Sequence, residues 1–280
     1  MPGLPLWGGM HPSEVKFSRR SLLPSDLPLF LLASFLPTSH RTMALITHPE
    51  GQYAFLPGIA PYSGGVISLP DSEIVHVPLA RPLPWRRGFD LVTQFLESQH
   101  RPRQALCAME LRSPRPFTFA GFAEFNGLYA AVLRDWGLFV DGVNPVARTN
   151  VAPAPGLIDE PSLFAFSFTR PAPVGSPRSF IVAGGGELPE GILAAEAIVA
   201  RGDVGPQGLR TKAAFVMGLM EDRLRGLGGD WSEVTHTDVY TVHALDDLLK
   251  GVLLPRMGTA ADRKSTRLNS SHLVISYAVF

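Results

Sequence analysis

Histidines can bind metal ions, but their spacing in this chain argues against a metal site. His236 and His243 lie seven residues apart, around a Thr/Val/Tyr-rich segment that is typical of a β-strand. Since residues at odd spacing on a strand point to opposite faces, we do not expect these two to share a metal ion. No HExxH, HxH or paired-carboxylate spacing occurs. The sequence therefore predicts neither a metal nor another cofactor.

A glycine triplet and a single cysteine are the next candidates, the first for a phosphate-binding loop and the second for a nucleophile. Gly184, Gly185 and Gly186 follow a predicted strand, but neither a Lys-Ser/Thr pair nor a GxGxxG pattern accompanies them. A tight turn is therefore expected, rather than a phosphate-binding loop. Cys107 lies among apolar residues of another predicted strand, which indicates a buried small side chain rather than a nucleophile.

Composition excludes several classes of function. The 280 residues include 25 Lys and Arg against 25 Asp and Glu, so no basic surplus is available to bind nucleic acid. Hydrophobic residues make up 45% and charged residues 18%, which is typical of a packed globular protein. One cysteine cannot form an internal disulfide, so a reducing, cytoplasmic location is expected. No apolar run is long enough to span a membrane.

Periodicity predicts two segments that share one order of elements. In residues 43–169 we expect strands at 65–68, 73–79, 105–111, 146–152 and 163–168, and helices at 85–98 and 119–136. Phe89, Val92 and Leu96 form the apolar stripe of the first helix. Alternation along the last strand places Phe164, Phe166 and Phe168 on one face.

The second segment, 179–261, follows a Pro/Gly/Ser-rich linker at 170–178. It predicts strands at 179–183 and 234–242, a long helix at 209–227 and a further helix from 245. One apolar stripe on each helix implies helices packed on one face of a sheet, which is an α+β fold. The two segments are interpreted as a divergent duplication whose second copy lacks its last strands.

Both ends of the chain differ in character from the rest. Residues 1–42 are interpreted as an over-extended start, although the basic residues before the apolar run at 27–36 suggest a signal peptide as the alternative, with a periplasmic location. Residues 262–280 contain DRKSTRLNSSH and ISYAVF, which resemble a translated sequencing adapter. We expect the natural coding sequence to stop near 261; the alternative is a genuine terminal strand.

Several short segments together resemble the Rid (YjgF-type, RidA-like) family, whose best-known members are enamine and imine deaminases. In the first segment these are GIAPYSGGV (58–66), FAEFNGLY (122–129) and NPVARTNV (144–151). In the second they are FIVAGGGELP (180–189) and the stretch 208–248. The resemblance implies a duplicated RidA/chorismate-mutase-like sheet with helices on one face, the second copy being truncated. It also implies a homotrimer.

The same resemblance implies a pocket for a small carboxylate ligand. Arg148 falls where the family binds the substrate carboxylate, and a guanidinium suits that role because it binds carboxylates bidentately and stays charged. Asn126 and Tyr62 fall on positions that line the family's pocket. The alternatives are an ion-paired Arg148, a hydrogen bond on the helix face for Asn126 and a core or rim aromatic ring for Tyr62.

The chain departs from the Rid pattern where catalysis is concerned. The family's glutamate belongs on the strand that here reads SLFAFSF, which has no carboxylate, and Asn150 replaces the family's pocket cysteine. Glu124, Glu187 or Asp141 could substitute as a base if the fold brings one of them into the pocket, and no catalytic residue is assigned.

Three hypotheses follow from these observations. The first is a Rid-like hydrolase that converts 2-imino or 2-enamino acids to 2-oxo acids and ammonia. The second is a non-catalytic module of the same fold that binds or senses a carboxylate. The third is a chorismate-type hydrolase, which no residue specifically favours.

Overall fold

The structure is a computed structural model that describes residues 44–153, 158–192, 194–258, 264–268 and 274–278. The predictions for residues 1–42 lie outside these ranges. Strands and helices together give the α+β class that the sequence predicted. Within the described residues, no helix is long and apolar enough to cross a membrane.

Four strands and two helices form the first half. They are β4 (Ser72–Pro84), α1 (Trp85–Ser98), β5 (Leu106–Arg112), α2 (Phe119–Asp135), β6 (Ala147–Val151) and β7 (Ser162–Pro171). The sheet has the order β4-β7-β5-β6, with β7 antiparallel to both neighbours and β6 parallel to β5.

A seven-stranded sheet contains both the first and the last strands of the chain. The strands are β1 (Ile46–His48), β2 (Tyr53–Leu56), β3 (Gly65–Ser68), β8 (Phe180–Gly186), β9 (His236–Thr241), β10 (Lys264–Leu268) and β11 (Val274–Ala278). Their order in the sheet is β1-β2-β3-β8-β11-β9-β10. The helices of this half are α3 (Pro206–Gly226), α4 (Asp246–Leu248) and α5 (Leu254–Met257), with a π-helical turn at Leu249–Leu253 between the last two.

Strand order is the same in part of each sheet. The sets β4-β7-β5-β6 and β8-β11-β9-β10 have matching order, and in each the second strand is antiparallel to both neighbours while the last two run parallel. β1, β2 and β3 belong to the first predicted module but pair beside β8. The duplication, the module boundaries and the origin of residues 262–280 stay predictions.

Three groups of buried side chains arrange these elements in layers. One group packs α1 and α2 on the four-stranded sheet, and another packs α3 on the seven-stranded sheet. The third joins the two sheets, with Phe55, Val66 and Ile181 on one side and Cys107 and Ala147 on the other. The sheets therefore face each other between two outer layers of helices.

The predicted first helix is confirmed in its bounds and in its buried stripe, which follows the 3.6-residue period of an α-helix. Trp85–Ser98 is helical, and Phe89, Val92 and Leu96 are buried. The predicted arrangement of three phenylalanines on one face is wrong. Ala165 pairs with Glu110 and Leu163 with Leu111, so the register shifts and β7 bulges at Phe164. A bulge shifts the alternation of side chains by one residue.

Candidate functional site

Arg148 lies near the start of β6, where a loop covers the outer edge of the four-stranded sheet. The Ser63 N–H donates to the Val146 carbonyl at 3.0 Å and ties this loop to β6. Gly58 allows the loop to fold tightly, since a Cβ at that position would lie 2.6 Å from the Tyr62 carbonyl oxygen. The backbone thus holds Tyr62 beside Arg148.

Three aromatic rings surround the Arg148 guanidinium. Its Cζ lies 4.8 Å from the ring centroid of Tyr129, 5.0 Å from that of Tyr62 and 5.8 Å from that of Phe122. Each cation–π contact of this kind contributes about 0.5–2 kcal/mol. These rings, Arg148 and Asn126 are called the Arg148 pocket below. Aromatic faces attract the charge but do not accept the in-plane hydrogen bonds of a guanidinium.

Arg148 is buried without a hydrogen-bond acceptor at one of its nitrogens. The residue is 3% exposed, and no described residue accepts a hydrogen bond from its Nη1. Burial lowers the pKa of Arg148, while the neighbouring Tyr129 and Tyr62 oppose that shift. Arginine nevertheless stays protonated in proteins. An unsatisfied buried donor costs about 1–3 kcal/mol, so this cation is suited to receive an anionic ligand.

Helix α2 adds two more buried polar atoms to the pocket. Phe122, Asn126 and Tyr129 occupy positions i, i+4 and i+7 of α2 and share one face. Phe122 and Tyr129 contact the Arg148 guanidinium, so Asn126 lies between two residues of the pocket. Among the described residues, Asn126 Oδ1 and Tyr129 OH have no hydrogen-bond partner.

The carboxylates proposed as substitutes for the missing glutamate do not enter this pocket. Glu124 is exposed on α2, and Asp141 is exposed in the turn before β6. Glu187 is buried in the other half, where its Oε1 lies 3.4 Å from Lys212 Nζ. The structure thus brings together Arg148, Tyr62 and the helix face of Asn126, and leaves these acids elsewhere.

A second polar group lies between the sheets, and we call it the inter-sheet cluster: His76, Glu110, Arg112, His236, Asp238 and Tyr240. Arg112 Nη2 lies 3.4 Å from Glu110 Oε2 and donates to the Tyr240 hydroxyl at 3.1 Å. That hydroxyl donates to Asp238 Oδ2 at 3.3 Å, and His76 Nδ1 lies 3.6 Å from Glu110 Oε1. The cluster links β4 and β5 to β9 across the two sheets.

A cleft beside this cluster encloses about 350 Å³ of empty space, part of it open to solvent. His76, Glu110 and Asp238 are among its lining residues. Met109 pairs with Arg148 and packs with the helices, whereas the next residue, Glu110, faces the other sheet. Because side chains alternate along a strand, the Arg148 side chain and the cluster lie on opposite faces of the sheet. The Arg148 side chain is therefore directed away from the cluster, although Arg148 is also among the residues that line the cleft.

The predicted tight turn at the glycine triplet is wrong, because Gly184, Gly185 and Gly186 are the last residues of β8, where they allow close packing. A Cβ on Gly184 would lie 2.9 Å from Thr149 Oγ1, and one on Gly185 would lie 2.7 Å from a Leu219 methyl carbon. These glycines therefore let β8 approach both β6 and α3. Cys107 is fully buried, and burial raises the pKa of its thiol, so it is the buried side chain that was predicted.

The two histidines considered for a metal have separate surroundings. His236 Nε2 lies 3.2 Å from Asp238 Oδ1, whereas His243 follows the end of β9. Within the described residues, no group of three or more His, Cys, Asp or Glu side chains is arranged to hold a metal ion.

Comparison with known proteins places the chain in a family. A family model described as 2-aminomuconate deaminase CnbZ matches residues 45–268. This chain belongs to the CnbZ family. A 2-amino-5-chloromuconate deaminase from Comamonas testosteroni is 41% identical to it over 220 residues, which are 78% of this chain and 87% of that protein.

Solved structures show more distant likenesses. A chorismatase has a TM-score of 0.37 and 12% identity, with 82% of this chain and 77% of that chain covered. A cyanuric acid hydrolase has a TM-score of 0.35 and 10% identity, with 74% and 66% covered.

Assignment to the Rid family is wrong, because the CnbZ model spans most of the chain and a CnbZ-type deaminase shares 41% of its residues over 220 positions. The hypothesis of a Rid-like hydrolase of 2-imino and 2-enamino acids fails with it. The non-catalytic alternative has no support either. The resemblance relied on short segments around turns and a helix stripe, where packing restricts residue types in many unrelated proteins.

Sequence reasoning missed Tyr129 as a pocket residue and the inter-sheet cluster entirely. The ring of Tyr129 is buried among apolar residues, and its place beside Phe125 and Leu133 on α2 is typical of a core residue. Its position three residues after Asn126 was the available signal that both share a polar patch. The inter-sheet cluster had no such signal, since Arg112 and Tyr240 are 128 residues apart.

Proposed function

We propose that this CnbZ-family protein is a hydrolytic deaminase of 2-aminomuconate-type dicarboxylates. The reaction consumes water and releases ammonia, leaving an oxygen on the carbon that carried the amino group. The family match and the relative that deaminates a chlorinated aminomuconate support the reaction class. The observation in the structure that carries the proposal is the buried Arg148 guanidinium with an unbonded Nη1.

The Arg148 pocket suits this substrate class by its charge and by its aromatic rings. An aminomuconate is a flat, conjugated chain with a carboxylate at each end. A guanidinium pairs bidentately with one such carboxylate and is worth more in a buried site than at the surface. Tyr62 and Phe122 beside Arg148 are only partly buried, so their rings offer flat apolar surface to a conjugated chain.

The test is a direct assay of freshly generated 2-aminomuconate with the purified protein. Loss of the substrate's ultraviolet absorbance is followed together with ammonia release, against the spontaneous rate with heat-denatured protein. We expect ammonia and substrate loss in equal amounts and well above that rate. Folded protein, verified by circular dichroism, that releases no extra ammonia from 2-aminomuconate or from its 5-chloro derivative would refute the proposal.

A further inference from the structure

The Arg148 pocket contains three buried polar atoms that lack partners among the described residues, and their types differ. Arg148 Nη1 and Tyr129 OH are donors, whereas Asn126 Oδ1 is an acceptor. All three residues are at most 7% exposed. A ligand that satisfies the pocket must therefore offer acceptor oxygens and also a hydrogen-bond donor.

Tyr129 is a donor in this pocket at neutral pH. Burial raises the pKa of its hydroxyl, and Arg148 opposes that shift only in part. The phenol therefore keeps its proton. With its ring 4.8 Å from the Arg148 Cζ, Tyr129 and Arg148 can donate to the same anion. Two donors of this kind match the two oxygens of one carboxylate.

The two ends of an aminomuconate differ in the donor that the pocket requires. At one end the 2-amino group lies on the carbon next to the C1 carboxylate, so an N–H stands beside the acceptor oxygens. At the other end the C6 carboxylate has only C–H neighbours. Asn126 Oδ1 can be satisfied by the first end and not by the second.

Resting on the proposed function, we infer that the pocket binds the amino end of the substrate. Arg148 and Tyr129 donate to the C1 carboxylate, and Asn126 accepts a hydrogen bond from the 2-amino group. Asn126 thereby discriminates between amino and unsubstituted muconates, while Tyr129 contributes to the binding of both. After deamination to the 2-oxo form, the ligand has no N–H for Asn126, which favours release of the product.

Two ligands and two substitutions test this assignment. The kcat/KM for 2-aminomuconate is compared with the inhibition constant of cis,cis-muconate, which lacks the amino group. For Asn126→Leu we expect kcat/KM to fall about tenfold with the muconate inhibition constant within about twofold of the wild type. For Tyr129→Phe we expect about a tenfold loss of both muconate affinity and kcat/KM.

Tyr53→Phe is the matched control. Tyr53 is as buried as Tyr129, but its hydroxyl donates to the Leu106 carbonyl at 3.1 Å. The kcat/KM for 2-aminomuconate and the inhibition constant of cis,cis-muconate should therefore both stay at the wild-type values. Thermal melts check that each variant is folded, and Asn126→Ser replaces Asn126→Leu if the latter does not fold.

Several results would overturn the inference. They are equal losses for both ligands in the Asn126 variant, an unchanged muconate inhibition constant in Tyr129→Phe, or no binding of muconate to the wild type. Wild-type protein that binds muconate but does not deaminate 2-aminomuconate instead refutes the proposed function, and the inference falls with it. The wild-type assay and the variant comparison therefore report on the two claims separately.

Discussion

Replacing Arg148 by Met separates a ligand-binding arginine from a structural one. An unsatisfied buried donor costs the folded protein about 1–3 kcal/mol, so its removal stabilises the ligand-free protein. The substitution also removes three cation–π contacts with Tyr62, Phe122 and Tyr129, each worth about 0.5–2 kcal/mol. The three contacts together contribute about 1.5–6 kcal/mol, and removal of the unsatisfied donor offsets only part of their loss. We therefore expect the free energy of unfolding to fall by about 2 kcal/mol, or about 4–8 °C in Tm.

Ligand affinity should also respond strongly to the same substitution. A hydrogen bond to a charged group contributes about 1.5–3 kcal/mol, and a bidentate contact supplies two. Loss of about 3 kcal/mol corresponds to roughly a hundredfold increase in Kd, since 1.4 kcal/mol is a factor of ten. Calorimetric titration with cis,cis-muconate measures the Kd, and thermal melts of the ligand-free protein measure stability.

Arg223→Met provides the contrast within the same chain. Arg223 is equally buried at 3% exposure, but its Nη1 donates to the Ala183 carbonyl at 2.6 Å and its Nη2 pairs with Glu190. Breaking such a pair costs about 3–5 kcal/mol, while muconate affinity should not change. The reasoning about Arg148 is refuted if Arg148→Met is as destabilising as Arg223→Met and leaves the Kd for muconate unaltered.

Two further predictions concern stability. Burial lowers the pKa of His48, whose Nδ1 accepts a hydrogen bond from the Gly51 N–H at 3.2 Å. Near the pKa of a free histidine, about 6.5, the unfolded chain therefore binds a proton that the folded chain excludes. The free energy of unfolding should then fall as the pH drops below about 6.5. Urea melts at pH 7.5 and 5.5 should show a smaller difference for His48→Gln, and an equal difference contradicts this. Arg112→Leu leaves Glu110 without its guanidinium partner and should cost about 2 kcal/mol in urea melts. Arg170→Leu, at an exposed ion pair, should cost under about 1 kcal/mol. Similar losses of stability for Arg112→Leu and Arg170→Leu would contradict a stabilising role of the inter-sheet cluster.

The elements were predictable wherever one face of a single element determines burial. Helix α1 follows from the spacing of Phe89, Val92 and Leu96, because that stripe needs no information from other parts of the chain. The orientation of Phe164 was not predictable in this way. It depends on a bulge between β5 and β7, and the Arg112 Cζ lies 4.0 Å from its ring on the inter-sheet side. Local alternation cannot indicate an interruption that arises from pairing.

Pairing between distant strands also escaped the sequence. Residues 65–68 were predicted as a strand of the first module, yet this strand, β3, pairs with β8, more than 100 residues later. Val66 and Ile181 are cross-strand partners whose side chains fill the space between the sheets. Nothing in the spacing of apolar residues distinguishes a partner within the same segment from one beyond the linker. The inter-sheet cluster was missed for the same reason.

Strand β6 has different surroundings on its two faces. Arg148 faces α2, while the next residue, Thr149, faces β8, where Gly184 leaves room for its side chain. Arg148 was proposed as a ligand-binding residue from the resemblance to the Rid family, a family assignment that the comparisons overturn. Its surroundings depend on Asn126 and Tyr129, which lie on a different element, α2. Those two share a face with Phe122, and the polar atoms they leave unpaired turn a buried cation into a site with donors and an acceptor. A pocket so composed favours a ligand with an amino group beside its carboxylate over a simple anion.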